Sequence, residues 1–425
     1  MAAAIQTAPV KGVRDVYPDD MRVRSWLFGQ WRAVARQFGY EEYDACVLES
    51  AELYIRKAGD EITGQLYDFQ DKGGRHVALR PEMTPTLARM LMARGGSTSL
   101  PARWFSIPQC FRYERMQKGR KREHYQWNMD CIGLDHVAAE VELMTAQAAF
   151  LERVGLRGAD VAFKVSDRRV LQHFLAGLGI TDAAFATVCV IIDKRDKVGD
   201  TAVLEMLQEA GVDTPTGERI CELLDVRGLE RLAAVVGADN PGYACLAELL
   251  ALADAAGIAD RIHIDCSVVR GLSYYTGTVW ELFDTGGAVP LAIAGGGRYD
   301  GLMEHLGGMP TPMVGFGFGD VVISLILEER GLIPQLDRGI DAVVYPMSAA
   351  EFPIANRIAT QLRSEGQQIL VDYSRRRFKH VVRAAEDAGA ATLWILGTHE
   401  REQGVIKKRS LADRSEETVA LDDFC

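Results

Sequence analysis

The sequence predicts an α+β protein: an antiparallel-sheet core, a helical insertion within it, and a small α/β domain at the end. Three observations carry that prediction. Residues 111–133 alternate polar and apolar side chains on either side of a basic loop, and a period of two marks half-buried antiparallel strands. From about residue 170 to 259 the pattern becomes periodic Leu, Ala and Val punctuated by Gly177, Gly199, Gly211, Gly228, Gly237 and Gly257, a helix-rich block between two β-rich ones. Beyond a linker-like Ile-Pro-Gln-Leu-Asp-Arg at 333–338, short strands alternate with helices, the pattern of an α/β module with a mixed sheet. The expected divisions are 1–169 and 261–332 for the two parts of the core, 170–260 for the insertion, and 339–425 for the last domain. A chain of 425 residues has room for two or three domains.

Composition narrows the function. The 48% hydrophobic and 25% charged residues are those of a soluble globular protein. No window approaches the ~18 uncharged apolar residues of a membrane span, and the Ala-rich first ten residues lack the basic start of a secretory signal. Eight cysteines stand singly, with no Cys-x-x-Cys pair. This argues against a zinc ribbon or a disulfide framework and for a reducing, cytoplasmic setting. A net charge of −11 excludes a general nucleic-acid binder; RNA would have to be met by local basic patches.

In chain order, residues 11–18 are irregular because of Gly12 and Pro18, and Arg14 and Asp15 can pair with each other. Residues 21–38 carry Val23, Trp26, Leu27, Trp31, Val34 and Phe38 on one helical stripe, with Gly39 as a stop; this helix is core. Residues 40–49 read as a strand. Pro81 stops the strand before it, and Thr84 can cap a helix over 85–94. In the 111–133 stretch, Arg112 and Glu114 alternate with Phe111 and Tyr113. In the return strand His124, Gln126, Asn128 and Asp130 share one face. Between them lie Arg115, Lys118, Arg120, Lys121 and Arg122, with Gly119 as the turn. A basic loop in an acidic chain is aimed at an anion. Arg112, Gln126 and Asp130 suit a small zwitterion and a phosphate, since Arg offers a planar fork of donors. The same residues also fit an exposed hairpin with a charged tip.

Lys194, Arg195 and Lys197 are interspersed with acids and read as a solvated face. Residues 262–269 read as a strand leading to Arg270-Gly-Leu-Ser-Tyr-Tyr-Thr-Gly277, where Tyr274 and Tyr275 take opposite faces if extended. A Tyr hydroxyl can bond an imidazole nitrogen; an ordinary aromatic strand fits as well. Gly295, Gly296 and Gly297 remove side-chain bulk, so that a ligand can lie on bare backbone, or they form a turn. Val314-Gly-Phe-Gly-Phe-Gly-Asp320 has the wrong spacing for a dinucleotide fingerprint. In the last domain strands fall at 341–346, 368–372 and 392–396, with helices at 349–364 and 376–389. Its basic clusters are Arg375, Arg376, Arg377, Lys379 and Arg383, and Lys407, Lys408 and Arg409.

Phe-Arg-x-Glu, a basic loop and a returning strand resemble motif 2 of class II aminoacyl-tRNA synthetases. Gln-Lys-Gly-Arg in the loop and Tyr-Gln-x-x-x-Asp in the return strand resemble the histidyl-tRNA synthetase family. Arg80-Pro-Glu-x-Thr84, Arg270-Gly-Leu-x-Tyr-Tyr275 and Gly295-Gly-Gly-Arg-Tyr-Asp300 are similar to further signatures of that family, and residues 314–320 to motif 3. The resemblance covers essentially the whole chain. It implies a class II synthetase antiparallel-sheet catalytic core, an insertion that embraces the tRNA acceptor arm, an anticodon-binding α/β domain, and a homodimer formed through motif 1. It further implies that L-histidine is activated by ATP with Mg²⁺ and passed to the 3′ end of tRNA(His). By resemblance Arg112 and Arg270 are catalytic at the α-phosphate. Glu82, Thr84, Gln126, Asp130, Arg270, Tyr274 and Tyr275 bind histidine. Arg112, Glu114, Arg122, Gly317 and Gly319 bind ATP, while Arg115, Gln117, Arg375, Arg376 and Arg377 bind tRNA; no metal ligand set belongs to the chain itself. The chain departs from the family at Cys46 (usually Pro), Met116 (often Pro), Ser273 (usually Asp) and Val321-Val322, where an arginine for the γ-phosphate normally follows the acid. The rival reading is a histidine-binding regulatory subunit of ATP phosphoribosyltransferase, which is built on the same core and usually lacks the last domain.

Overall fold

The computed structural model describes residues 5–55, 64–180, 182–192, 194–268, 274–287, 291–374 and 377–424. They fall into two compact units, Met1–Ile333 and Pro334–Cys425.

The first unit is organised on a nine-stranded sheet. Its strands are β1 (Glu41–Glu42), β5 (Ala102–Ser106), β6 (Gln109–Phe111), β7 (Glu123–Ile132), β8 (Val161–Asp167), β9 (Ile262–Ile264), β10 (Thr278–Asp284), β11 (Ala294–Arg298) and β12 (Met313–Gly319). The order is β1-β5-β7-β12-β11-β10-β8-β9, with β6 also paired to β7. Pairing is antiparallel except for β1 with β5 and β8 with β9. A separate three-stranded sheet holds β2 (Leu48–Ser50), β3 (Tyr67–Gln70) and β4 (His76–Leu79) in the order β2-β4-β3.

Period two sorts the central strands. Phe316 and Phe318 of β12 turn to one side, against Trp127 of β7, and the helices Pro18–Gln37 and Ala138–Arg153 close over them with Trp31 and Phe150. All five rings are buried, and such aromatic contacts favour tilted or edge-on geometry. The glycines of β12 turn to the other side. The first helix starts with Pro18, Asp19 and Asp20, which suit the donor-rich N-terminal turn. Gly39 takes the positive φ of 76° that lets the chain leave its end.

Several expectations from sequence need correction. The half-buried return strand is buried on both faces from Trp127 onward, because β7 lies between β5 and β12 and tyrosines cover its polar side. Its long partners are β12 and β5; residues 112–122 run as an irregular loop, since Tyr113 N–H donates to Gln65 O instead of to β7. The strand over 40–49 divides into β1 and β2 because the chain changes sheet there, and Arg80 holds the Ala45 carbonyl at the bend at 2.8 Å. Cys46 is exposed at that bend. The strand over 262–269 stops at Ile264, where Asp265 accepts from Ser267 N–H at 3.0 Å in a side-chain turn.

The inserted block is helical, running from Arg168–Gly177 to Pro241–Ala255. Asp167, Asp213 and Asn240 cap helices in it. Its buried Val170, Leu171 and Leu246 belong to the same hydrophobic cluster as Trp31 and Phe318. Gly242 is required there: a Cβ on it would lie 2.4 Å from Val170 N. Arg195 is not on a solvated face but bridges Asp200 and Asp225, at 2.6 and 2.9 Å.

The second unit is a five-stranded mixed sheet, β14-β13-β15-β16-β17, from β13 (Ala342–Pro346), β14 (Ile369–Val371), β15 (Thr392–Leu396), β16 (Val405–Ser410) and β17 (Glu416–Ala420). The helix Phe352–Ser364 packs in one buried cluster and Phe378–Asp387 in another. The last two strands were not foreseen. Lys407, Lys408 and Arg409 lie on β16 and pair with Glu400, Glu417 and Glu416. No described helix is long and apolar enough to cross a membrane.

Candidate active site

The polar face of β7 and the glycine face of β12 lie in register: Asp130 opposite Gly315, Asn128 opposite Gly317, Gln126 opposite Gly319. A Cβ on Gly315 would fall 2.1 Å from the Asp130 carboxylate. On Gly317 it would meet Gln126 Oε1 at an ordinary 3.5 Å, and on Gly319 nothing within 4 Å. The floor is therefore filled at the Asp130 end and open at the Gln126 end.

At the filled end three tyrosines cluster. The ring centroids of Tyr274 and Tyr275 are 5.1 Å apart, and Tyr299 stands 5.8 Å from the first. Tyr274 and Tyr275 thus share one cluster and do not take opposite faces, because residues 274–277 are not in a strand. Tyr299 O–H donates to the fully buried Asp130. Burial pushes the Asp130 carboxyl up to about 7 despite that bond. Tyr274 O–H donates to Glu82 at 2.8 Å, and burial beside Glu82 keeps the phenol protonated.

The glycine triplet is β-strand, and protein rings rather than open space cover two of its members: a Cβ on Gly296 would meet Trp280 at 2.4 Å, and one on Gly297 would meet Tyr275 at 2.7 Å. Next to the triplet, Arg298 forms a buried ion pair with Glu140 at 2.7 Å and holds the Leu134 and His136 carbonyls, each at 3.1 Å.

Thr84 begins the helix Thr84–Ala93 and is buried; the N-cap is Met83, without a side-chain bond, so Thr84 does not cap. Arg112 Nε donates to Pro81 O at 2.9 Å, joining the Glu82 segment to the 111–133 stretch. Glu82, Thr84, Arg112, Gln126, Asp130, Tyr274 and Tyr275 therefore border one region. His124 is pushed down to about 3 by burial, then by Arg112 and Arg14, and stays neutral.

Arg122 lies 3.7 Å over the Tyr113 ring, and Arg120 pairs with Glu114 at 3.4 Å. Arg115 and Gln117 are exposed on the loop, whose tip at Gly119 has φ 82°. Arg377 is exposed before the helix Phe378–Asp387 in the second unit. Arg270, Arg375 and Arg376 lie outside the described residues. The sequence reading passed over Tyr299, although it stands in the Gly-Gly-Gly-Arg-Tyr-Asp stretch. It also passed over Asn128, whose buried Oδ1 has no partner among the described residues, although it shares its face with Gln126 and Asp130.

A family model described as Histidyl-tRNA synthetase matches residues 12–319, and one described as Anticodon binding domain matches 341–425. The chain is 44% identical over 420 residues to the chloroplastic/mitochondrial Histidine--tRNA ligase of Arabidopsis thaliana, spanning 99% of this chain and 86% of that one. It is 40% identical to the Histidine--tRNA ligase of Opitutus terrae, spanning 98% and 96%. Among solved structures, the histidyl-tRNA synthetase from Nostoc sp. PCC 7120 superposes with a TM-score of 0.79 at 22% identity, spanning 99% and 98% of the two chains; that likeness is one of fold.

Proposed function

The chain belongs to the histidyl-tRNA synthetase family and is a histidine–tRNA ligase, and from that premise we propose how its residues divide the work. The observation that carries the reading is the joint presence of the match over 12–319 and the second over 341–425. The last domain is the part that the regulatory-subunit rival usually lacks.

The histidine carboxylate oxygen attacks the α-phosphorus of ATP; the bond to the β-phosphate oxygen breaks and pyrophosphate leaves. A terminal ribose hydroxyl of tRNA(His) then attacks the carbonyl of the adenylate, loses its proton, and AMP departs. The first step concentrates negative charge at phosphorus, so it needs preorganised cations. Arg112 supplies one and Arg270 the second. Glu82, Thr84 and Gln126 hold the ammonium and carboxylate of histidine. Asp130 accepts from one imidazole nitrogen, with the Tyr274–Tyr275 pair beside the ring. Amino acids without ring donors leave Asp130 buried and underpaired, which is how such a site rejects them. Gly317 and Gly319 floor the nucleotide at the open end, beside Glu114 and Arg122.

Among the described residues no group of three or more His, Cys, Asp or Glu can hold a metal ion. A Mg²⁺ entering with ATP would ride on the phosphate oxygens and neutralise the leaving pyrophosphate. Arg115 and Gln117 face the acceptor end of tRNA, and Arg375–Arg377 its anticodon loop, where phosphate contacts and stacked bases are the usual mode. A homodimer is the assembly that the family resemblance implies, and Val47, Leu48 and Phe69 are exposed in and beside the three-stranded sheet. Cys46, Cys110, Cys131, Cys189, Cys221, Cys245 and Cys266 are free thiols, in keeping with a reducing cytoplasm. The test is charging of a tRNA(His) transcript with labelled histidine. Stable attachment supports the reading, and histidine binding without charging favours the regulatory subunit.

A further inference from the structure

We infer that residues 12–14 act as a strap that positions the ATP-side arginines, with Arg14 as its positioning residue. The inference rests on the ligase reading and deepens it at the nucleotide end of the site.

The helix that follows the glycine strand, Asp320–Glu329, begins with an acid, and Val322 points into the core. No cation of this helix's first turn faces the open end of the floor. Arg14 comes from 306 residues away in sequence to that spot. Its guanidinium donates to Asp320 Oδ2 at 3.0 Å and to Glu123 Oε2 at 3.4 Å. The two carboxylate side chains are only 5% and 4% exposed. Asp320 Oδ1 also accepts from Tyr125 N–H at 2.9 Å, and Glu123 from Gln109 at 3.3 Å. One guanidinium thus ties the start of β7 to the start of the helix and offsets two buried negative charges there.

The backbone extends the same connection. Arg122 N–H donates to Gly12 O, and Arg112 N–H donates to Arg122 O, both at 2.9 Å. The strap therefore continues a short ladder through both arginines assigned to ATP. Gly12 has φ 96°, and a Cβ there would lie 2.6–2.9 Å from the Arg122 side chain. The close approach of strap and arginine needs glycine for both reasons.

The consequence is selective: loss of Arg14 weakens ATP more than histidine, whose imidazole pocket around Asp130 lies at the other end of β7. The test is histidine-dependent ATP–pyrophosphate exchange by the full chain, with each substrate varied at saturation of the other. For Arg14→Ala the ATP KM rises about tenfold, the cost of one charge-assisted bond. The histidine KM stays within about twofold. Adding Glu123→Gln to Arg14→Ala recovers part of the ATP KM, because one of the two uncompensated charges is gone; a merely structural role would move the histidine KM and the unfolding midpoint together with the ATP KM. Arg14→Lys keeps charge without the fork and falls between. If Arg14→Ala does not fold, Arg14→Lys decides on the same split, with Gly12→Ala expected to match it. An unchanged ATP KM, or equal rises for both substrates, overturns the inference while wild-type exchange keeps the ligase reading intact. Wild-type protein without histidine-dependent exchange overturns both.

Discussion

Asp130→Asn separates the two ends of the site. Asp130 is fully buried beside Tyr299 and Gly315, and burial lifts its carboxyl from 3.8 to about 7. About three pH units correspond to about 4 kcal/mol between its neutral and charged forms. The sign follows from the direction. A raised folded-state value favours the neutral acid, so the contribution to stability is full below about pH 4 and is lost as pH rises through about 7. Without ligand, Asp130→Asn should therefore gain on wild type in unfolding free energy between pH 4 and 8. Histidine reverses the balance, since an imidazole N–H pairs with the carboxylate. Wild-type affinity for histidine should tighten as pH rises through about 7. The variant keeps only the titration of the ligand's own ring. A hydrogen bond to a charged group contributes about 1.5–3 kcal/mol, so the histidine KM should rise about tenfold or more at pH 8 while the ATP KM stays within about twofold. Pyrophosphate exchange at several pH values measures both constants. Equal losses for ATP and histidine would remove Asp130 from the imidazole pocket.

Arg270→Ala should abolish exchange, costing ~3 kcal/mol or more at the transition state, with an unaltered thermal unfolding curve; near-wild-type exchange would end its assignment. Glu140→Gln should lower stability by ~3 kcal/mol in denaturant titration, because it leaves the buried Arg298 guanidinium with Asp300 as its remaining close carboxylate. Replacing both Glu140 and Arg298 with apolar residues should lose less than the sum of the two single changes. Triple replacement of Arg375, Arg376 and Arg377 by Ala should raise the KM for tRNA in charging and leave tRNA-independent exchange untouched; an unchanged tRNA KM would remove them from the anticodon contact.

What the sequence made legible was periodicity and local chemistry. The alternation of Trp127 and Met129 with Asn128 and Asp130 places the apolar side chains of that strand on one side and the polar ones on the other. That reading survives, as do the helical block and the mixed sheet of the last domain. Long-range pairing was not legible. β5 carries no alternation that marks it as a partner of β7, and β2 looks continuous with β1 because a change of sheet leaves no compositional trace. Tyr274 and Tyr275 looked like a strand because sequence does not reveal where pairing stops. Tyr299 belongs to the site through an Asp 169 residues away, and Arg14 through an Asp 306 away. Neither partner can be read from neighbours in the chain: Arg14 sits next to Asp15 and bonds instead to Glu123 and Asp320.

The most direct test of the account is amino-acid-dependent pyrophosphate exchange by the wild-type protein, run with each of the standard amino acids in turn and no tRNA present. The account predicts exchange with histidine alone. Exchange supported by another amino acid, or by none, would contradict it.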